Sequence, residues 1–174
     1  MEVSKTKNSL AQLTSLTIEF GLPITQLGAM LIGVDPGTVN LGIAVLDVPT
    51  ISGDVYQATI HQIKFAQRAI NTMGRIKAVQ EVLNELHLPK FKKSVIIEGA
   101  AYGEQYRQVE LETVRTAAAV WFDQHSSVCQ VIAPNTIRKN AFGSSKVKAH
   151  EYWECLELYP DAAAALSCAI CCLS

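Results

Sequence analysis

Long apolar runs, a second cysteine pair and an excess of positive charge are all missing from this sequence. No stretch of about 18 apolar residues occurs, which argues against a membrane-spanning helix. The first segment, Met1–Phe20, is too often interrupted by polar residues to be the core of a signal peptide. We therefore expect a soluble intracellular protein.

The cysteines do not have the spacing of a structural zinc site. Five are present, and four of them lie near the C-terminal end: Cys155, Cys168, Cys171 and Cys172. The pair Cys168 and Cys171 has zinc-like spacing, but such a site needs about four ligands and no second pair accompanies it. We interpret the cysteines as small buried side chains in a reducing compartment.

Positive charge is not in excess, but it is concentrated in one segment. The formal net charge is −1. Between Gln124 and His150 there is no Asp or Glu, whereas Arg138, Lys139, Lys146 and Lys148 all occur there. A neutral protein with a locally basic face can bind phosphates. The alternative is an ordinary solvated surface.

The length and the apolar pattern predict one α/β domain. The chain has 174 residues, 49% of them hydrophobic and 18% charged, which suits a single globular core. We divide it into an N-terminal extension, 1–29, of unreadable role with a short helix at Ser9–Phe20, and a domain at 30–174. Three apolar segments separated by turns predict an antiparallel meander: Met30–Val34, Leu41–Leu46 and Val55–Phe65.

Helices and strands alternate after the meander. Apolar residues at helical spacing predict a helix from Ile70 to Leu86. A second helix, Glu104–Gln124, has one predicted face formed by Tyr106, Val109, Thr113, Ala117 and Trp121. The other predicted elements are strands Ser94–Ile97 and Val128–Ile132, followed by a helical remainder: a helical turn near Asn135–Asn140, a helix at Lys146–Leu158 and a last helix from Asp161. This order predicts a mixed five-stranded sheet, three antiparallel strands followed by two parallel ones, flanked by helices.

Three acids stand at the ends of predicted elements. Asp35 ends a strand, Glu98 follows the apolar strand Val95–Ile97, and Asp161 opens the last helix. Carboxylates that gather at one sheet edge repel one another unless a cation compensates them, and Mg²⁺ prefers such oxygen ligands. Two ions would support phosphodiester hydrolysis. Taken singly, Asp35 could be a turn residue and Asp161 a helix cap.

The ordered motifs resemble those of RuvC-type Holliday junction resolvases. Ile32–Thr38 with Gly42–Val45 is similar to that family's opening motif, and Val95–Glu98 to its second motif. The strand, proline and basic residues of Val131–Lys148 and the helix Asp161–Ile170 are similar to its later segments. The resemblance extends from about Leu31 to Leu173, and its specificity lies in the ordered set.

The resemblance implies an RNase H-like nuclease of DNA recombination and repair. It implies a homodimer that nicks four-way DNA junctions symmetrically with two Mg²⁺ or Mn²⁺ ions per site. Its metal ligands would be Asp35, Glu98 and Asp161, with catalytic Lys148, or alternatively Lys146, near the scissile phosphate. Bacterial, phage, viral and organellar hosts all stay open. The other DNA-binding residues would be Tyr102, Arg107, Arg138 and Lys139.

One position departs from the family pattern. The closing motif usually has two acids three residues apart, which a helix places on one face, but here Asp161 is followed by Ala164. The loss of a ligand predicts impaired cutting with retained DNA binding. An introduced Asp-to-Ala substitution explains the intact Asp35, Glu98 and Asp161 better than natural loss of activity does.

Three rival interpretations stay open to different degrees. A sugar- or acetate-kinase-like ATPase shares the Asp35-Pro-Gly-Thr string, but the chain has no second Asp-Gly loop and is short for that fold. A YqgF-like RNA-processing nuclease shares the opening motif, but the string around Glu98 does not fit its central motif. A non-catalytic DNA-junction binding module is kept open by Ala164.

Overall fold

A computed structural model describes residues 3–7, 10–21, 30–47, 55–66, 71–86, 88, 93–100, 108–125, 128–156, 158 and 160–171. The strands are β1 (Val3–Lys7), β2 (Ala11–Gly21), β3 (Met30–Pro36), β4 (Asn40–Asp47), β5 (Val55–Phe65), β6 (Lys93–Glu98) and β7 (Val128–Ile132). The helices are α1 (Thr72–Glu85), α2 (Gln108–His125), α3 (Pro134–Phe142), α4 (Ala149–Tyr152) and α5 (Pro160–Cys171), with a 3₁₀ helix at Glu154–Leu156.

The strands form one mixed sheet in the order β1-β2-β5-β4-β3-β6-β7. The strands β3, β4 and β5 pair antiparallel, and β6 and β7 lie parallel to β3. The predicted five-stranded arrangement is therefore confirmed for β3 to β7. In the described part of the chain the sheet has seven strands rather than five, because the extension adds β1 and β2.

The predicted helix at Ser9–Phe20 is wrong, since Ala11–Gly21 is strand β2. Both faces of this strand are covered. Leu13 belongs to one core cluster, whereas Ile18 belongs to the other, with Leu16 packed against it. The extension thus widens the sheet of the 30–174 domain. The division of the chain at 29 and 30 otherwise stays a prediction.

Helices cover the sheet on both sides. The helices α1 and α2 pack on one face, where Val79, Leu83, Ala118 and Phe122 are buried. The other face is covered by α5, whose buried residues include Ala163 and Leu166. The helical turn predicted near Asn135–Asn140 is part of a nine-residue helix, α3. One further prediction at this end is corrected, because the helix predicted at 146–158 is reduced to α4 and the 3₁₀ helix.

The buried face of α2 also differs from the predicted one. Ala117 and Trp121 are buried as expected, but Val109 is 76% exposed. The core is instead completed by Val114 and Phe122. Helix α2 therefore has an uncovered row of apolar and small residues.

Glycine lets α5 approach the sheet closely. A Cβ added to Gly33 would collide with the backbone of Ala165 and Ala169, and one added to Gly42 would collide with the backbone carbonyl of Asp161. The start of α5 therefore rests directly on β4. Because Gly42 is the register partner of Asp35, this contact brings the backbone of Asp161 over the strand pair that contains Asp35.

Candidate active site

The three predicted acids line one pocket at the edge of the sheet. The pocket has a volume of about 240 Å³. Asp35 lies near the end of β3 and Glu98 at the end of β6, and these neighbouring parallel strands pair up to Val34 and Ile97. Asp161 reaches the pocket from the first turn of α5. Carboxyl ends of neighbouring parallel strands meet at one sheet edge, so the fold brings together acids that are far apart in sequence.

Burial and mutual repulsion act on these acids. Burial raises the pKa of Asp35 well above its usual value, and the charges of Glu98 and Asp161 raise it further, while Arg115 opposes the rise. Burial also raises the pKa of Glu98, against the opposing effect of Arg138 and Arg115. The pocket therefore disfavours ionised carboxylates unless a positive charge joins them.

Basic residues line the same pocket, and so does Ala164, the position that departs from the family pattern. Ala164 lies one helical turn after Asp161, so it faces the same side of α5. The remaining pocket residues are Ile137, Arg138, Lys148, Ala149, His150, Pro160 and Ser167. A set of acids beside Arg138 and Lys148 can hold a cation and a phosphate next to each other.

Other predicted site residues fall outside the pocket. The side chains of Lys139 and Lys146 are exposed on the segment around α3, where they do not line it. Tyr102 and Arg107 lie outside the described residues. Lys148 is exposed at the N-cap of α4, where its ammonium group lies 3.1 Å from a carboxylate oxygen of Glu151.

One residue of the pocket and one residue behind it were not predicted from the sequence. His150 lines the pocket beside Lys148, but a lone histidine in a polar segment carries no distinguishing pattern. Arg115 lies on α2, is only 5% exposed, and donates from Nε to the backbone oxygen of Glu98 at 2.9 Å. Its signal was the helical spacing that it shares with Ala118 and Phe122, both fully buried.

Comparison with solved structures identifies the fold. No protein-family model and no curated protein matches the chain. A Thermus thermophilus RuvC structure superposes with a TM-score of 0.61 at 20% identity, over 82% of this chain and 92% of that one. The chain has the RuvC fold. A T. thermophilus RuvC structure in complex with a Holliday junction substrate gives a TM-score of 0.57 at 18% identity, over 82% and 91% of the two chains.

The RuvC likeness confirms the predicted α/β RNase H-like fold. Among the described residues, no three His, Cys, Asp or Glu side chains are grouped closely enough to hold a metal ion. Within that same part of the chain, no helix is long and apolar enough to cross a membrane.

The raised pKa values predict a pH-dependent stability. The folded state binds more protons than the unfolded state between the unfolded and folded pKa values of Asp35 and Glu98. The metal-free protein should therefore be most stable below the unfolded values, and its stability should fall as the pH rises through the folded ones. We expect a lower melting temperature in EDTA at pH 8 than at pH 5.5, and a larger stabilisation by Mg²⁺ at pH 8.

The Asp35→Asn variant should lose much of this pH dependence in thermal melts. Asp123→Asn, at an exposed position of α2, provides the matched control and should melt like the unchanged protein at both pH values. Two results would contradict the attribution of this pH dependence to the buried acids. One is a melting temperature of the unchanged protein in EDTA that rises between pH 5.5 and pH 8. The other is an Asp35→Asn variant whose melting temperature falls as much as that of the unchanged protein.

Proposed function

We propose that this protein binds four-way DNA junctions on the scaffold of a metal-dependent, RuvC-type endonuclease, and that Ala164 impairs its cutting. Such an enzyme serves DNA recombination and repair. The main support for this proposal is the composition of one pocket. It combines three acidic residues, two basic residues and one alanine: Asp35, Glu98, Asp161, Arg138, Lys148 and Ala164.

The acids suit Mg²⁺ or Mn²⁺ in their chemistry. Asp35, Glu98 and Asp161 offer only carboxylate oxygens, the donors that hard cations prefer, and the burial that raises the pKa of Asp35 supports a role for a compensating positive charge. Because the carboxylates are not preassembled, binding requires them to converge. Two ions, when bound, would supply charge neutralisation at the phosphate and a lower pKa for the attacking water. Ala164 offers no oxygen to either ion.

The basic side chains would bind the phosphates of DNA. Arg138 and Lys148 face the pocket, where a guanidinium and an ammonium group can hold the scissile phosphate against the acids. The exposed Lys139 and Lys146 extend the positive charge along the surface and would contact the flanking backbone. The predicted roles of Tyr102 in base stacking and of Arg107 in DNA binding stay predictions.

We predict that Lys148→Ala weakens junction binding by about tenfold and lowers the slope of log Kd against log salt by about 0.9, as expected for one lost phosphate contact. The measurement is an electrophoretic mobility shift with a four-way junction and a matched linear duplex, in EDTA, at several salt concentrations. Lys77→Ala, an exposed lysine on α1, is the control and should bind as the unchanged protein does. Equal affinities for junction and duplex would contradict the proposed substrate.

A non-catalytic junction-binding module is the second candidate. The observation that favours it is Ala164, which lines the acid pocket where the family pattern has a carboxylate. The two candidates share the binding surface and differ in metal-dependent cleavage. If the Ala164→Asp variant binds junctions but does not cleave them, the protein is a non-catalytic binding module.

The expected homodimer has a suitable surface on α2. An uncovered groove between α1 and α2 has a volume of about 650 Å³, and its lining is Ile76 and Gln80 of α1 with Val109, Glu112, Thr113, Thr116, Ala117 and Val120 of α2. Four of the α2 residues, Val109, Thr113, Thr116 and Val120, follow a spacing of four, three and four, so they lie along one helical face. The row is symmetric about its centre. An antiparallel second copy would therefore set Val109 against Val120 and Thr113 against Thr116, so that apolar residues meet apolar residues across a two-fold interface.

Val120→Lys should convert the dimer to a monomer, since it would place an ammonium group in the buried part of the interface at each of its ends, where desolvation of the charge is costly. Light scattering coupled to gel filtration measures the change. Val128→Lys is the matched control, because Val128 is 46% exposed on β7 and Val120 is 49% exposed. A dimer that survives Val120→Lys but dissociates with Val128→Lys places the interface at the sheet edge and overturns this assignment.

A further inference from the structure

A buried arginine lies behind the acid pocket. The side chain of Arg115 is only 7% exposed, and its Nη1 group forms an ion pair with Glu112, whose side chain is 49% exposed on the same helix. Its Nε group donates to the backbone oxygen of Glu98. A buried charge is costly unless it is paired and hydrogen-bonded, and here one guanidinium group has both kinds of partner.

The contact to Glu98 fixes the peptide group that follows it. The carbonyl oxygen of Glu98 accepts from Arg115 at 2.9 Å, and the N–H of Gly99 in the same peptide group donates to Ile132 at 2.7 Å. The peptide plane after Glu98 is therefore held at both ends. The orientation of this peptide plane helps to set the direction of the Glu98 side chain. Arg115 therefore influences where the Glu98 carboxylate lies in the pocket, although Arg115 itself does not line the pocket.

We propose that Arg115, held in place by Glu112, is a positioning residue that orients Glu98 for metal binding. The inference rests on the proposed function, since it presupposes that Glu98 is a metal ligand. Partners that orient metal ligands in this way are worth about 10–100-fold in metal affinity.

The chain provides a matched control pair on the same helix. Glu110 is 53% exposed and forms an ion pair at 3.2 Å with Arg75, which is also buried. Glu110→Gln and Glu112→Gln therefore remove the same charge from similar positions of α2. Of the two arginines, Arg115 is the one with a hydrogen bond to the backbone of β6.

The test is a titration of the unchanged protein and both variants with Mn²⁺, followed by the electron paramagnetic resonance signal of the free ion. We expect Glu112→Gln to weaken Mn²⁺ binding by about tenfold, while Glu110→Gln leaves it unchanged. Melting temperature in EDTA and metal-free junction affinity should be the same for both. Arg115→Lys keeps the charge but cannot make both contacts, so it should also bind Mn²⁺ more weakly.

The outcomes separate the two proposals. If Asp35→Asn abolishes Mn²⁺ binding but Glu112→Gln behaves like Glu110→Gln, the acid pocket is a metal site and the positioning role of Arg115 is wrong. A loss of Mn²⁺ affinity that only parallels a loss of melting temperature also overturns that role. If Asp35→Asn leaves Mn²⁺ binding unchanged, the metal site itself is wrong and the inference falls with it.

Discussion

Replacing Ala164 with aspartate should produce Mg²⁺-dependent, symmetric nicking of four-way junctions. Ala164 lies one turn after Asp161 and lines the pocket that contains Asp35 and Glu98. A carboxylate there would add a fourth oxygen donor where the existing acids do not form a ready site. We expect a gain in cleavage rate of more than about 100-fold, because even indirect partners of metal ligands contribute 10–100-fold.

The measurement is a denaturing gel of labelled four-way junction incubated with Mg²⁺, Mn²⁺ or EDTA. Ala164→Asn tests shape without charge and should stay inactive. Asn135→Asp adds the same charge at an exposed position of α3 outside the pocket, and it should also stay inactive. If Ala164→Asp folds and binds junctions but never cuts them, the nuclease interpretation is wrong and the binding module replaces it.

Changing Glu98 to glutamine in the Ala164→Asp protein should abolish the restored cleavage without destabilising the metal-free fold. Glu98 follows the buried strand residues Val95–Ile97, and burial raises its pKa. The neutral amide avoids the cost of a buried charge but is a much poorer ligand for a hard cation. We expect cleavage to fall by at least about 100-fold, with a melting temperature in EDTA that is unchanged or higher.

Cleavage assays and thermal melts of the same preparations test this prediction. Glu81→Gln, on the exposed side of α1, is the control and should cut at the rate of its parent. A Glu98→Gln protein that retains cleavage would remove Glu98 from the site. A protein that loses cleavage only because it melts below the assay temperature would contradict the expected stability.

The central part of the fold could be predicted because its strands have simple patterns. Apolar runs that end at Asp35-Pro36-Gly37 or at Glu98 indicate strands with turns, and the structure has them there. Strand β2 lacks such a simple pattern, and the helix predicted there was wrong. Its buried residues change face along the strand, since Ala11 and Leu13 belong to one core cluster and Ile18 to the other. No single alternation of apolar and polar residues therefore runs through β2.

The site was predictable in its acids and not in its supporting residues. Acids at strand ends stand out from an apolar background, and parallel neighbours bring Asp35 and Glu98 to one edge. The helical spacing that Arg115 shares with Ala118 and Phe122 is compatible with a buried position, but an arginine within a helix is usually solvated. The packing of α2 on β6 is what shows the hydrogen bond from Arg115 to the carbonyl group of Glu98.

Calorimetric titration with Mg²⁺ tests most directly whether the acid pocket is a metal site. The unchanged protein, Ala164→Asp and Asp35→Asn should be compared at pH 8. The account predicts that Ala164→Asp binds Mg²⁺ more tightly than the unchanged protein and that Asp35→Asn shows no binding. Equal binding by the unchanged protein and Asp35→Asn, or no gain with Ala164→Asp, would contradict it.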